Sequence, residues 1–255
     1  MYSKKPTPKE SIIVIDIGNT SMHCALVKKG KIFCVWKHPT RNLTKADLEG
    51  FLAQYPPADI LVCSVVPSLT CLLKALKRKV YIIGKDVNVP ISCLYNKKRV
   101  GMDRLVGAYA AHQLHASSRL LIDFGTAITF DFLSKNGSYL GGFILPGIGS
   151  TLQVFSQCAM LPEIKKINPK RVKKLIPRNT EESIQKGIQE GFSIMINSLV
   201  KKYMHLLKIP SQSTQIITGG DAPLIMPYLD FPYTYDPLLA LKGLYLLSKK
   251  IHKIS

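Results

Sequence analysis

Acidic residues are scarce in this chain: its 255 residues include 16 Asp and Glu against 35 Lys and Arg, a net charge of +19. Long apolar runs are missing too, because Asp16, Asp123 and Asp131 interrupt the most hydrophobic stretches before they reach the ~20 residues that span a bilayer. The six cysteines form no CxxC pair and no zinc-type Cys/His spacing. These absences argue against a membrane-spanning protein and a zinc module, and the globular composition excludes a mainly disordered chain.

The first ten residues are polar and rich in Lys and Pro, without the apolar segment of a secretion signal. We expect residues 1–10 to form a flexible basic arm. The expected setting is cytoplasmic, with cysteines that are free and mostly buried.

The excess of positive charge has two interpretations. One is a site for a polyanion such as nucleic acid or an anionic membrane surface, and the other is a lysine-rich solvated surface. Basic clusters run along the whole chain, from Lys28-Lys29 to Lys249-Lys250, instead of gathering in one segment. This dispersion favours the solvated surface, so no specific nucleic acid and no membrane partner is expected.

Because carboxylates are so few, their positions are informative. Burying one costs several kcal/mol unless it is paired or binds a ligand. Six lie within or beside apolar or glycine-bearing segments, and they are the first candidates for chemistry: Asp16, Asp103, Asp123, Asp131, Asp221 and Asp236.

The chain also contains an internal repeat. An apolar run leads into Asp16-Ile17-Gly18-Asn19-Thr20 and a second apolar run follows, which predicts a β-hairpin. The segment Asp123-Phe124-Gly125-Thr126 has the same pattern 107 residues later, and Thr218-Gly219-Gly220 follows a third β-like run. Helical patterns lie between these strands, which predicts an α/β protein with lobes at 11–117 and 118–255.

A turn of the form Asp-x-Gly-(Asn/Thr)-Thr offers backbone N–H groups and hydroxyls to phosphate oxygens. Its carboxylate can hold Mg²⁺ directly or through the ion's waters. One such turn alone is more often purely structural. Two copies, together with Thr-Gly-Gly, favour a nucleotide held in a cleft between two duplicated lobes.

Two helical segments complete the pattern. Arg104 to Ala111 suits a closely packed helix, with Asp103 at its predicted N-cap. A longer helix after Thr180 carries an apolar stripe, with Gly187 and Gly191 spaced for close helix contact. The long helix predicts a homodimer.

These motifs resemble those of the type III pantothenate kinases, members of the acetate and sugar kinase/Hsc70/actin superfamily. The resemblance covers nearly everything from Ser11 to Lys249. Its segments occur in family order: Asp16-Ile17-Gly18-Asn19-Thr20, Gly101-Met102-Asp103-Arg104, Asp123-Phe124-Gly125-Thr126-Ala127, Tyr139 to Gly147, Asn179-Thr180 and Thr218-Gly219-Gly220. It implies two duplicated lobes of actin/ribonuclease H-like type, with the active site in the cleft between them.

The implied activity is ATP-dependent phosphorylation of pantothenate to 4'-phosphopantothenate, the first step of coenzyme A biosynthesis. The resemblance assigns Asp103 as the proton acceptor. It assigns Asp123 to a monovalent cation, K⁺ or ammonium, and we expect Asp16 to hold Mg²⁺ directly or through water. The ATP-binding residues that it implies are Asp16, Ile17, Gly18, Asn19, Thr20, Ser21, Met22, His23 and Thr126. The pantothenate-binding residues are Tyr95, Gly101, Met102, Asp103, Arg104 and Thr180.

Two positions depart from the family pattern. Members commonly have Asn-Pro where this chain has Asn96-Lys97, and a glycine where it has Pro177. Both lie in segments lining the substrate side, so they bear on pantothenate affinity more than on nucleotide binding.

Two other functions stay open from the residues alone. One is a catalytically weak homologue that acts as a nucleic-acid-associated transcriptional accessory factor. The other is a kinase of another small hydroxy acid or sugar. Retention of Asp103, Asp123 and Thr126 favours catalysis, because a regulator needs no proton acceptor.

Overall fold

The computed structural model describes residues 11–251 apart from 56, 77, 98, 165, 170, 171 and 173, so the expected basic arm lies outside the described residues. The chain separates into two compact units. The first contains the described residues up to Leu114, Gly137–Tyr139 and those from Leu238 onward, and the second contains His115–Asn136 and Leu140–Pro237.

Each unit is built around a sheet. The described strands are β1 (Ser11–Ile17), β2 (Ser21–Lys28), β3 (Lys31–Pro39), β4 (Asp59–Ser64), β5 (Val80–Ile82), β6 (Leu120–Phe124), β7 (Ala127–Leu133), β8 (Tyr139–Pro146), β9 (Gln215–Thr218) and β10 (Tyr233–Tyr235). The described α-helices are α1 (Lys45–Ala53), α2 (Pro67–Lys74), α3 (Met102–Leu114), α4 (Ile148–Phe155), α5 (Thr180–Leu206), α6 (Ala222–Ile225) and α7 (Leu239–Ser248).

The two sheets have the same topology. Their strand orders are β3-β2-β1-β4-β5 and β10-β9-β6-β7-β8, so β6 corresponds to β1 and β9 to β4. In each sheet the first strand pairs antiparallel with the hairpin partner and parallel with the strand on its other side. The α/β class and the internal duplication predicted from the sequence are confirmed.

Alternation along β1 gives the first sheet two different faces. Ile13, Ile15 and Ile17 are buried in a cluster that includes residues of α1 and α2. The intervening residues Val14 and Asp16 point to the other face, because successive side chains of a strand alternate. Asp16 is therefore kept out of this core by its position in the strand.

The last helix belongs to the first unit rather than to the C-terminal lobe in which its sequence position places it. A β-carbon at Gly243 in α7 would lie 2.9 Å from Ala110 Cβ and 3.0 Å from Val106 Cγ1, both in α3. The absence of a side chain at Gly243 lets the two helices pack closely, and this contact ties the chain end to the first unit.

Two local expectations are wrong. Helix α3 begins at Met102, so Asp103 lies within its first turn rather than at the N-cap. The cysteines are free but not mostly buried: Cys34, Cys71 and Cys158 are exposed.

Among the described residues there is no helix both long and apolar enough to cross a membrane.

Candidate active site

The first glycine turn joins β1 to β2 and is held from a third strand. The Gly18 N–H donates to the Ser21 carbonyl oxygen at 3.0 Å. Just after β3, the Thr40 N–H donates to the Thr20 carbonyl oxygen at 2.9 Å, and its hydroxyl donates to the Gly18 carbonyl oxygen at 2.8 Å. Thr40 is buried and thus fixes the shape of a turn whose Asn19 and Thr20 stay exposed. Thr40 belongs to none of the sequence motifs, because it lies 20 residues after Thr20.

A polar row crosses the first sheet beside this turn. Asp16 pairs with Cys63 of β4 on one side and with His23 of β2 on the other, and His23 pairs with Lys37 of β3. Directly paired residues point to the same face. The Lys37 ammonium is exposed, whereas its neighbour Trp36 packs against the core on the opposite face.

The charges in this row affect one another. Burial, and then the positive charge of Lys37, lower the pKa of His23 below its usual 6.5. A cation beside His23 disfavours a second positive charge on the imidazole. Lys37 therefore brings a positive charge to the strand position next to His23, two strands from Asp16, and the sequence motifs do not include it.

Asp103 faces the same region of the first unit. The pKa of the buried Cys63 thiol is raised well above its usual value, first by burial and then by the negative charges of Asp16 and Asp103. Both carboxylates therefore lie close enough to Cys63 to repel a thiolate. A side chain at Gly101 would collide with the Asp103 carboxylate, so the glycine lets that carboxylate fold back over the helix start.

Arg104 lies beside Tyr139, and the segment that carries Tyr95 is attached to the same residue. The Arg104 guanidinium carbon lies 5.8 Å from the centre of the buried Tyr139 ring, a cation–π distance. An isolated β-bridge pairs Cys93 with Tyr139, which attaches the segment carrying Tyr95 to the same residue. Tyr95 itself is 49% exposed. Met102 packs on Gly84, where a β-carbon would lie 2.9 Å from its sulfur.

The second glycine turn belongs to the second unit. The Gly125 N–H donates to the Ala127 carbonyl oxygen at 3.1 Å, which closes this turn one residue earlier than the Gly18–Ser21 bond closes the first. Gly219 follows β9 with a φ of +95°, and a β-carbon there would lie 2.5 Å from Asp123 Oδ1. The Asp221 N–H donates to the Phe124 carbonyl oxygen at 3.0 Å. Thr218-Gly219-Gly220 therefore packs directly on the Asp123 strand end.

Thr126 is exposed at the same turn and anchors a third segment. Its carbonyl oxygen accepts from the Gly147 N–H at 3.0 Å and from the Ser150 hydroxyl at 2.7 Å. A side chain at Gly147 would overlap the backbone of Gly125 and Thr126. The three glycine segments of the second unit thus meet around Asp123 and Thr126.

Thr180 also belongs to the second unit, at the start of α5. Its neighbour Asn179 is the N-cap and accepts from the Glu182 N–H at 2.8 Å, so Thr180 is not the cap. Thr180 lines a pocket of about 520 Å³ on α4 and α5 whose walls are mainly apolar. Gly187 and Gly191 also line this pocket, and a β-carbon at either would meet nothing within 4 Å.

The predicted site residues therefore divide between the two units. Asp16–His23, Tyr95 and Gly101–Arg104 belong to the first, and Asp123, Thr126 and Thr180 belong to the second. Within the described part of the chain, no three His, Cys, Asp or Glu side chains group as ligands for one metal ion. A single carboxylate such as Asp16 fits Mg²⁺, because this ion commonly uses one or two carboxylates together with substrate phosphates and water.

Comparison with known proteins identifies the family. The sequence model of type III pantothenate kinases matches residues 12–202. A type III pantothenate kinase of Persephonella marina is 34% identical over 253 residues, covering 92% of this chain and 96% of that protein.

Solved structures resemble the fold. A protein of Campylobacter jejuni, described as a conserved candidate Baf family transcriptional activator, has a TM-score of 0.62 at 22% identity and covers 94% of this chain and 99% of its own. A ROK family glucokinase of Streptomyces griseus, in complex with glucose and AMPPNP, has a TM-score of 0.53 at 11% identity, with 94% and 99% covered. At these identities the likeness shows the fold alone, so it gives no support to a role in transcription.

Proposed function

This chain belongs to the type III pantothenate kinase family, and from that premise we propose which residues carry its reaction. The enzyme uses ATP and a divalent cation to phosphorylate pantothenate in coenzyme A biosynthesis. In phosphoryl transfer a protein mainly positions the acceptor in line and stabilises charge on the transferring group.

Asp103 is the general base that accepts the proton of the pantothenate hydroxyl. This assignment is supported by the placement of both carboxylates in one region: Asp16 is paired with Cys63 across the sheet, and the charges of Asp16 and Asp103 both help to raise the pKa of the Cys63 thiol. A phosphoryl acceptor and a phosphate-bound cation have to meet at one place. Gly101 supports the role by leaving the Asp103 carboxylate room to fold back from the helix. A carboxylate in this position takes the proton late in the transfer.

The ATP phosphates bind at the first glycine turn. Asn19 and Thr20 contact the phosphates from the exposed tip of the turn, and Thr40 holds the turn in shape through the carbonyl oxygens of Gly18 and Thr20. Mg²⁺, when bound through Asp16, neutralises charge on the phosphates and on the transferring group. Lys37 adds positive charge at the neighbouring strand position. Thr126, exposed at the second glycine turn, is the proposed ATP-binding residue of the second unit.

Pantothenate is held through its carboxylate by Arg104, whose guanidinium makes a cation–π contact with Tyr139. Tyr95 and Met102 contribute contacts from the same unit. Thr180, at the exposed start of α5, is the proposed contact from the second unit.

Asp123 binds an activating monovalent cation, K⁺ or ammonium. Gly219 packs against its carboxylate, and the phosphate-binding residue Thr126 lies three positions further on. A negative charge there would oppose nucleotide binding unless it is compensated. A monovalent cation supplies that compensation.

Two chains pair through α5. Gly187 and Gly191 face open space, and Ile194 in the same helix is 64% exposed, so one chain leaves this helix surface uncovered. Gly187 and Gly191 therefore do not pack closely against any described residue of the same chain. A second copy would bury the surface in an isologous interface.

The kinase assignment is tested by measuring ADP formation with Mg²⁺ and K⁺, with and without pantothenate. We expect turnover only with pantothenate, and Asp103→Asn should lower kcat by roughly 10²–10⁴-fold while nucleotide binding is retained. Equal or faster turnover with a sugar or acetate would overturn the substrate. Near-normal kcat in Asp103→Asn would remove the base assignment.

A further inference from the structure

Lys97 makes an uncommon pair of contacts for an exposed lysine. Its ammonium donates to the carbonyl oxygens of Val89 and Ile91, each at 3.0 Å. Both acceptors belong to buried residues, six and eight positions earlier in the chain. Hydrogen bonds from a charged donor are stronger than neutral ones, so these two bonds hold residues 89–97 in a closed loop.

The same loop is attached to Tyr139. The Leu94 N–H donates to the Tyr139 carbonyl oxygen at 3.0 Å, and the Tyr139 N–H donates to the Ser92 carbonyl oxygen at 2.7 Å. The Arg104 guanidinium lies at a cation–π distance from the ring of that tyrosine. One end of the loop is therefore anchored beside Arg104, and the other is returned to residues 89 and 91 by Lys97.

Tyr95 lies between these two anchors. It is half exposed, and Leu94 beside it is 77% exposed, so little packing holds this part of the loop. The position of Tyr95 relative to Arg104 thus depends on the Tyr139 bridge and on the Lys97 ammonium.

We propose that Lys97 is a positioning residue for pantothenate: by clamping the carbonyl groups of Val89 and Ile91, it holds the loop that carries Tyr95 in place on Tyr139, the residue whose ring Arg104 contacts. This inference rests on the proposed assignment of Tyr95 and Arg104 to the pantothenate site.

The turn containing Lys97 suggests a second way to hold the loop. The Arg99 N–H donates to the Asn96 carbonyl oxygen at 2.8 Å, so Lys97 is the second residue of a four-residue turn. Proline is favoured at that position because its fixed φ matches the turn. A proline there would restrict the loop without providing an ammonium group. A Lys97→Pro variant therefore distinguishes positioning of the loop from direct binding of a substrate charge by Lys97.

The test uses Lys97→Met, Lys97→Arg and Lys97→Pro, with Lys85→Met as a control that removes an exposed charge from the preceding turn. We expect Lys97→Met to raise the KM for pantothenate by about 5–20-fold, with the KM for ATP and kcat within about threefold of the parent. Lys97→Arg and Lys97→Pro should recover most of the loss, and Lys85→Met should match the parent.

Three kinetic results would overturn the proposal. They are an unchanged pantothenate KM in Lys97→Met, an equal rise in both KM values, and a Lys97→Pro variant as impaired as Lys97→Met. The last result would mean that the ammonium contacts the substrate directly.

Two measurements keep failure of this inference distinct from failure of the proposed site. Amide hydrogen exchange of residues 92–96 should be faster in Lys97→Met than in the parent or in Lys97→Pro, whatever the substrate is, and equal rates would overturn the clamp. Tyr95→Ala should also raise the pantothenate KM. If it does not, the assignment of the site is wrong even where the clamp is real.

Discussion

Gly219→Ala tests the close packing around Asp123. The φ of Gly219 is +95°, and a residue with a side chain pays roughly 1–2 kcal/mol for left-handed backbone. The new β-carbon would also lie 2.5 Å from Asp123 Oδ1 and from the carbonyl carbon of Phe124. Relieving an overlap with neighbouring backbone typically costs about 1–3 kcal/mol. The expected loss is about 2–5 kcal/mol, a large part of the ~5–15 kcal/mol that stabilises a folded protein.

The assay is thermal unfolding followed by circular dichroism, together with the rate in K⁺. The Tm should fall by roughly 4–20 °C, given about 2–4 °C per kcal/mol for a protein of similar size. Activity should fall as well, because relief of the overlap displaces the Asp123 carboxylate.

Gly50→Ala is the matched control. Gly50 lies within α1, and a β-carbon there would meet nothing within 4 Å. Alanine in an open helical position should stabilise by about 0.5–1 kcal/mol. The same chemical change should therefore have opposite signs at the two glycines. If Gly219→Ala melts at the parent temperature with full activity, the tight packing of this turn on Asp123 is not a constraint.

Three further predictions concern the cation, the phosphates and the interface. Replacing KCl by NaCl at equal ionic strength should remove most of the rate. Asp123→Ala should abolish most of the activity and also the dependence of the remaining rate on K⁺. Equal rates in the two salts would contradict the cation role. Lys37→Met should raise the KM for ATP about 3–10-fold, because it removes one positive charge beside the phosphates, and the KM for pantothenate should not change. A normal KM for ATP would place Lys37 outside the site. Light scattering at micromolar concentration should show a dimer, and Gly187→Ala should weaken it by separating the paired helices; a parent protein that is monomeric would refute the α5 interface.

The sequence predicted the strands around both glycine turns because their signals are local. The apolar runs on either side of Asp16 and Asp123 specify hairpins, and their repetition indicated the duplicated sheet order found in the structure. The first residue of α3 was harder to predict than these strands, because an aspartate such as Asp103 occurs both at the N-cap and in the first turn of a helix.

Residues that act through distant partners were not predictable in the same way. Thr40 reaches the turn at Gly18, and Lys37 reaches His23, through the register of β3 against β2. Neither residue belongs to a recognisable motif. The Lys97 position was identified as a departure, but its two carbonyl partners become visible only in the folded loop.

The sequence by itself determined the family, the α/β class and the two phosphate-type turns, because hydrophobic alternation and glycine placement act over a few residues. Only the tertiary structure decided that Asp16 and Asp103, far apart in the chain, both approach Cys63, and that α7 packs on α3 of the first unit. Such contacts depend on strand register and on which helices pack closely enough to exclude a side chain. Those properties belong to the assembled sheets and helices rather than to any one segment.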